Sequence, residues 1–165
     1  MITANSEYIK PGMVLRGKMP FPDGSFPEYP RFYLVSNVEK DKIYVYQVTK
    51  IRTDTQYLEQ FGCRYKLGDI NEPVLPFYEG TFVELETLAP IDPTYYKDLK
   101  VYALGCQLNK AELNKIKQKT LECHLIKDRV DIKPENMPDE FKNAVKAAEK
   151  RIQEISAEYE DPHNR

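Results

Sequence analysis

The chain changes texture once, between about residues 104 and 109, and that change limits its possible folds more than any single motif. Up to about Leu104, short runs rich in Tyr, Phe, Val and Pro alternate with turn residues; beyond Asn109, Lys, Glu, Ala and Leu recur with helical spacing. Short aromatic and β-branched runs between tight turns predict strands. A small open sheet of such strands leaves reactive edges, so a closed or sandwiched antiparallel sheet is expected. The expected fold class is therefore a β-barrel with C-terminal helices, mainly β with an α extension. The expected division is a barrel with one packed helix over 1–126 and a helical C-terminal extension over 127–165.

The elements follow from local chemistry. Met13–Met19 reads as a strand after the Lys10-Pro11-Gly12 turn, and Pro20–Pro30, with four prolines and Asp23-Gly24-Ser25, reads as a loop. Arg31–Asn37 is apolar on both faces, which predicts a central strand. Lys40-Asp41 forms a short turn, and the β-branched and aromatic run Ile43–Thr49 a further strand. Arg52–Pro76 is mixed, punctuated by Gly62, Gly68 and Pro73, and admits a hairpin or a mobile flap. Thr81–Glu86 and Leu99–Leu104 supply two more strands. Asn109 and Glu112 form a capping-box start, in which Asn109 accepts from the Glu112 N–H while the Glu112 side chain reaches back. Leu113, Ile116, Thr120 and Leu121 then share a face directed at the barrel. A second helix begins near Pro138, which suits a first helical turn, and carries Phe141, Val145, Ala148, Ile152, Ile155 and Tyr159 along one narrow stripe. Core residues are expected upstream of Lys133, so a chain cut there is expected to stay folded.

Bulk properties exclude several classes. No apolar run approaches the ~18 residues that span a bilayer, and the first residues carry neither a basic leader nor an apolar stretch, which predicts a cytoplasmic protein without a membrane role. Cys63, Cys106 and Cys123 are odd in number and widely spaced, which argues for reduced thiols. A formal net charge of −2 supplies no global attraction to nucleic acid, so any such partner must meet a local basic patch. The Cys123-His124 dipeptide and His163 lack metal-ligand spacing, so no metal and no cofactor is expected.

Five short motifs occur in a particular order. They are Lys10-Pro11-Gly12 before the apolar Met13-Val14, Gly24-Ser25 in the loop, Arg31 opening a strand that ends in Ser36-Asn37, Val48-Thr49 closing the next, and Leu85-Glu86 leading to Ile91-Asp92 before the capped helix. In this order they resemble the MazF/PemK (Kid-like) toxin endoribonucleases over roughly Tyr8 to Thr120. Proline precedes Arg31 here, where the family has it following. Arg52–Pro76 is unlike the family's linker, and residues beyond Thr120 have no counterpart in it.

The resemblance implies an SH3-like barrel of the MazF/PemK/CcdB type that forms a homodimer and is neutralised by a cognate antitoxin whose extended peptide covers an RNA groove. It implies metal-independent cleavage of single-stranded RNA by attack of the ribose 2′-OH on the adjacent phosphorus. The nucleophile then belongs to the substrate, and the protein must align the attack and neutralise charge on the phosphorane. Arg31 is the family-matched residue, and its planar fork can hold two phosphate oxygens. A guanidinium gives up a proton reluctantly, which assigns Arg31 charge stabilisation before proton transfer. Thr49 is the matched hydroxyl donor to the same phosphate. Arg16 and Lys18 beside the loop, together with Ser25, Phe26 and Tyr29, form the candidate substrate-binding set. Phe21, Tyr57 and Phe61 are further aromatics on which bases can stack.

Each residue also has a plainer reading. Arg31 as a surface arginine would pair with Glu28 or Glu39, at little energetic weight. Thr49 would be an ordinary β-branched strand residue, and the loop aromatics would cap the barrel. Two other functions compete with the nuclease. One is a non-catalytic SH3-like protein- or RNA-binding module; the other is a diverged relative that binds RNA or an antitoxin without cutting.

Overall fold

The computed structural model describes residues 8–21, 23–58, 63–103, 106–125 and 134–160, without the side chains of 124, 125, 152 and 158–160. Phe61, Leu104 and His163, and the side chains of His124, Ile152 and Tyr159, therefore lie outside the described residues. Six strands, β1 (Val14–Gly17), β2 (Arg31–Glu39), β3 (Lys42–Lys50), β4 (Arg64–Leu67), β5 (Thr81–Pro90) and β6 (Leu99–Tyr102), make one sheet. Its order is β4-β5-β3-β2-β1-β6, and every neighbouring pair is antiparallel. Two helices follow, α1 (Lys110–Leu125) and α2 (Asp139–Glu160). The architecture is a mainly β sheet with a helical C-terminal part. No described helix is long and apolar enough to cross a membrane, and the three cysteines form no disulfide.

β2 lies inside the sheet, as its two apolar faces require. Leu34 joins Val14, Tyr46, Val83 and Leu85 in a core on the helix side, while Tyr33 and Val35 join Leu15, Ile43, Val45 and Leu99 in a second core on the other side. The β2–β3 hairpin turns on Lys40 (φ 50°) and Asp41 (φ 64°). Positive φ at both central residues gives the turn the twist of the strands it joins. The stretch read as a flap contributes the edge strand β4, paired with β5. β5 runs past Glu86 to Pro90 because an irregularity between Val45 and Gln47 of β3 lets extra residues loop out. The Thr87 hydroxyl fills the gap, accepting from the Gln47 N–H at 2.7 Å and donating to the Glu84 carbonyl at 2.6 Å.

The start of α1 follows half of the capping box. The Asn109 side chain accepts from the Glu112 N–H at 2.8 Å, but Glu112 does not turn back; it accepts instead from the Tyr65 phenol at 2.9 Å. A tertiary donor on β4 replaces the local one. Leu113, Ile116 and Thr120 are buried against the sheet, and the Thr120 hydroxyl meets the buried Tyr46 phenol at 2.8 Å. Removing the cap by Asn109→Ala is expected to cost ~1 kcal/mol. For a chain of this length that lowers the melting temperature by about 2–4 °C, readable by circular dichroism.

The expectation that the core ends before Lys133 is corrected. Met137 and Phe141 are 5% and 2% exposed and belong to the helix-side core, and Val145 is also buried. The docking was invisible in sequence because its polar half comes from β2, about a hundred positions away. Glu39 accepts from the backbone N–H groups of Asp139 (3.1 Å) and Glu140 (3.3 Å), and so caps α2. Lys40 pairs with Asp139 at 2.7 Å, Lys117 pairs with Glu140 at 3.2 Å, and Asn37 donates to Glu140. Farther along the same stripe Ile155 is exposed, so only the first turns of α2 are docked.

Candidate functional site

Sheet register decides which of the candidate residues share a side. In β2 and β3, Tyr33 stands across from Gln47, and side chains alternate along both strands. Arg31 therefore points to the Tyr33 side of the sheet, and Thr49 to the Gln47 side, which is the same face. Tyr33 and Gln47 line one cavity of about 650 Å³ together with Phe21 and Glu86.

Arg31 opens β2 after the proline-rich loop, and that loop folds Phe21 onto it: the guanidinium carbon lies 5.7 Å from the Phe21 ring centroid. This is the geometry of a cation–π contact. Arg31 has no ion pair among the described residues, and its Nε is shielded from solvent without a hydrogen-bond partner. Glu39, one of its two anticipated partners, is occupied by the start of α2. Burial pushes the Tyr33 phenol up, while the Met19 N–H donating to it and the Arg31 charge pull the other way. The cation is thus held over an aromatic ring with one shielded donor left without an acceptor.

Thr49 is already engaged. Its hydroxyl donates to Glu84 Oε1 at 3.1 Å, and the Arg64 Nε reaches both oxygens of the same carboxylate, at 3.1 and 3.0 Å. β5 and β4 bring this cluster together, with Glu84 across from both Gln47 and Arg64. The cluster opens into a cavity of about 320 Å³ that Lys50, Arg52 and Thr55 also line. The arrangement offers a hydroxyl, a fixed carboxylate and nearby cations in a partly enclosed space. Glu84 and Arg64 did not emerge from the sequence. Thr49 and Glu84 are 35 positions apart and meet only through strand order.

The remaining candidates divide. Arg16 stands across from Phe32 on one side and Lys100 on the other, so it projects to the face opposite Arg31. Lys18 and Phe26 line the same cleft as Arg16, at the β1–β6 edge. Ser25 is committed to its own loop: its hydroxyl and backbone N–H both bond Asp23 Oδ1, at 2.6 and 2.9 Å, which holds the Asp23 carboxyl below its usual range. Phe26, Tyr29 and Tyr57 are exposed, and Phe26 meets Tyr95 edge-on at 6.2 Å. Cys123, on α1, is buried. The fold therefore sets Arg31 and Thr49 on one face and Arg16, Lys18 and Phe26 around an edge. No protein-family model matches the chain and no curated protein matches it, so the functional argument rests on these residues alone.

Proposed function

We propose that the chain is the toxin of a type II toxin–antitoxin system, a metal-independent endoribonuclease of the MazF/PemK kind that cuts single-stranded RNA. The observation that carries the reading is Arg31, a guanidinium without a carboxylate partner among the described residues, on the same sheet face as Thr49. A buried charged donor with no acceptor costs free energy, and a phosphate oxygen is the acceptor that would recover it.

In the proposed reaction the ribose 2′-oxygen attacks the adjacent phosphorus while its proton passes to Glu84, the carboxylate beside Thr49. Arg31 binds the non-bridging oxygens as negative charge builds, and Thr49 fixes the approach. The bond from phosphorus to the 5′-oxygen breaks, and that oxygen takes a proton from water. The products are a 2′,3′-cyclic phosphate and a 5′-hydroxyl end. A closed SH3-like barrel, a homodimer and an antitoxin peptide lying in the RNA groove belong to the same proposal.

The test is incubation of the purified protein with a long single-stranded RNA in EDTA. Discrete fragments with 5′-hydroxyl ends support the reading; intact RNA across many sequence contexts, with no growth arrest on expression, sinks it. Glu84→Gln is expected to slow cleavage about 10²-fold, at the low end of the range for a general base, because Arg64 already neutralises the carboxylate. An unchanged rate would remove Glu84 from the reaction. The second reading, a non-catalytic SH3-like binding module, draws on the same cluster: the Thr49 hydroxyl is already taken up by an internal ion pair. Intact RNA without growth arrest would favour it, and retained RNA binding without fragments would favour the diverged relative that binds without cutting.

A further inference from the structure

A second surface, on the other side of the sheet from Arg31, has cations and rings arranged in a row. Lys100 of β6, Arg16 of β1 and Phe32 of β2 stand across from one another in register. The Arg16 guanidinium lies over the Phe32 ring, 5.8 Å from its centroid. Phe32 meets Tyr102 edge-on at 4.7 Å, and Tyr102 meets Tyr78 at 6.1 Å and 88°. Tyr78 is 69% exposed, so most of its ring is open to a ligand.

Beside this row Arg16, Lys18 and Lys100 line a cleft of about 580 Å³. None of the three has an ion pair among the described residues, so each is available to an anion. Among the described residues, Asp98 is the one carboxylate on the cleft wall. Gly17 also lines the cleft, and a side chain there would run into the Asp98 carbonyl oxygen, so glycine lets β1 and the start of β6 approach closely behind it.

We propose that this β1–β6 edge cleft and its aromatic row bind a single-stranded RNA segment, with phosphates on Arg16, Lys18 and Lys100 and a base stacked on Tyr78. The inference deepens the proposed function by giving the same strand a second contact around the sheet edge; it concerns binding, not cutting. An acidic peptide would use the cations but leave the rings idle. The juxtaposition of unpaired cations with an open aromatic ring is what single-strand binders employ, since every base has a face to stack.

The test uses full-length Arg31→Ala protein, in which cutting is suppressed, and a fluorescein-labelled oligouridylate of about ten nucleotides in EDTA. Anisotropy titrations are run at several salt concentrations. Adding Arg16→Gln and Lys100→Gln is expected to weaken binding at least tenfold and to flatten the slope of log affinity against log salt by about 1.4, at ~0.7 per phosphate contact. Tyr78→Ala, at an exposed position, is expected to weaken binding about tenfold with an unchanged melting curve. Affinity and slope within twofold of the parent for all variants would overturn the proposal. So would a glutamate-rich peptide that binds as tightly as the RNA, with Tyr78→Ala making no difference. The two readings fail separately: RNA bound here but never cut by the unmodified chain defeats the nuclease alone, and RNA cut normally by the Arg16→Gln/Lys100→Gln chain with unchanged affinity defeats the edge cleft alone.

Discussion

On the proposed mechanism, replacing Arg31 by alanine is expected to lower the rate of RNA cleavage in EDTA by about 10³-fold and to leave the melting temperature nearly unchanged. The rate loss is the upper part of the range for removing one preorganised donor from a developing oxyanion. The thermal result has a separate cause. The substitution forfeits the contact with Phe21, worth ~0.5–2 kcal/mol, but also removes a shielded Nε–H that has no acceptor, a relief of ~1–3 kcal/mol. The two nearly cancel. Arg31→Lys keeps the charge but not the planar fork, and should recover only part of the rate. A structural arginine would show the opposite pattern, with stability falling and cleavage, where present, persisting. Quantifying 5′-hydroxyl fragments beside a thermal melt separates the two.

The second large effect is on stability. Phe141→Ala is expected to cost ~3–5 kcal/mol, the usual range for truncating a fully buried phenylalanine. At about 2–4 °C per kcal/mol, the melting temperature falls by roughly 6–20 °C. Phe141 belongs to the helix-side core together with Met137 and Ile116, so the cavity opens inside that core. Deleting the chain from Lys133 onward removes Met137 and Phe141 together and should be at least as damaging. A melting temperature within about 2 °C of the parent for Phe141→Ala, at most about 1 kcal/mol by the same conversion, would show that α2 is an ornament on the sheet and not part of it.

What was legible in the sequence was local. β2 and β3 announced themselves through aromatic and β-branched runs, and the cap of α1 through Asn109, because these signals act over a few residues. The turn at Lys40 and Asp41 was marked by a short polar break. The missing parts depend on partners remote in the chain. Glu112 was expected to close its own capping box, but Tyr65 of β4 takes its carboxylate. The cap of α2 is Glu39, and no spacing rule reaches from one to the other. The candidate site divides in the same way. Arg31 and Thr49 were proposed from motif order, and alternation from the Tyr33–Gln47 pair sets them on one face. That Arg16 projects to the other face needed the register with Phe32, and that Glu84 stands beside Thr49 needed the order of β3, β5 and β4.

The sheet order has a kinetic corollary. Among the described residues only β2 and β3 are joined by a tight turn; Val14 of β1 must find Tyr102 of β6, and Asn37 must find Glu140, before the outer layers close. Contacts between distant segments demand loop-closure entropy before they return any stabilisation, which slows the search for the native pairing. The β2–β3 hairpin is then the natural seed, and the edge beside Arg16 and the α2 clasp are late acquisitions, so a half-made chain would hold Arg31 on a formed hairpin before either is in place.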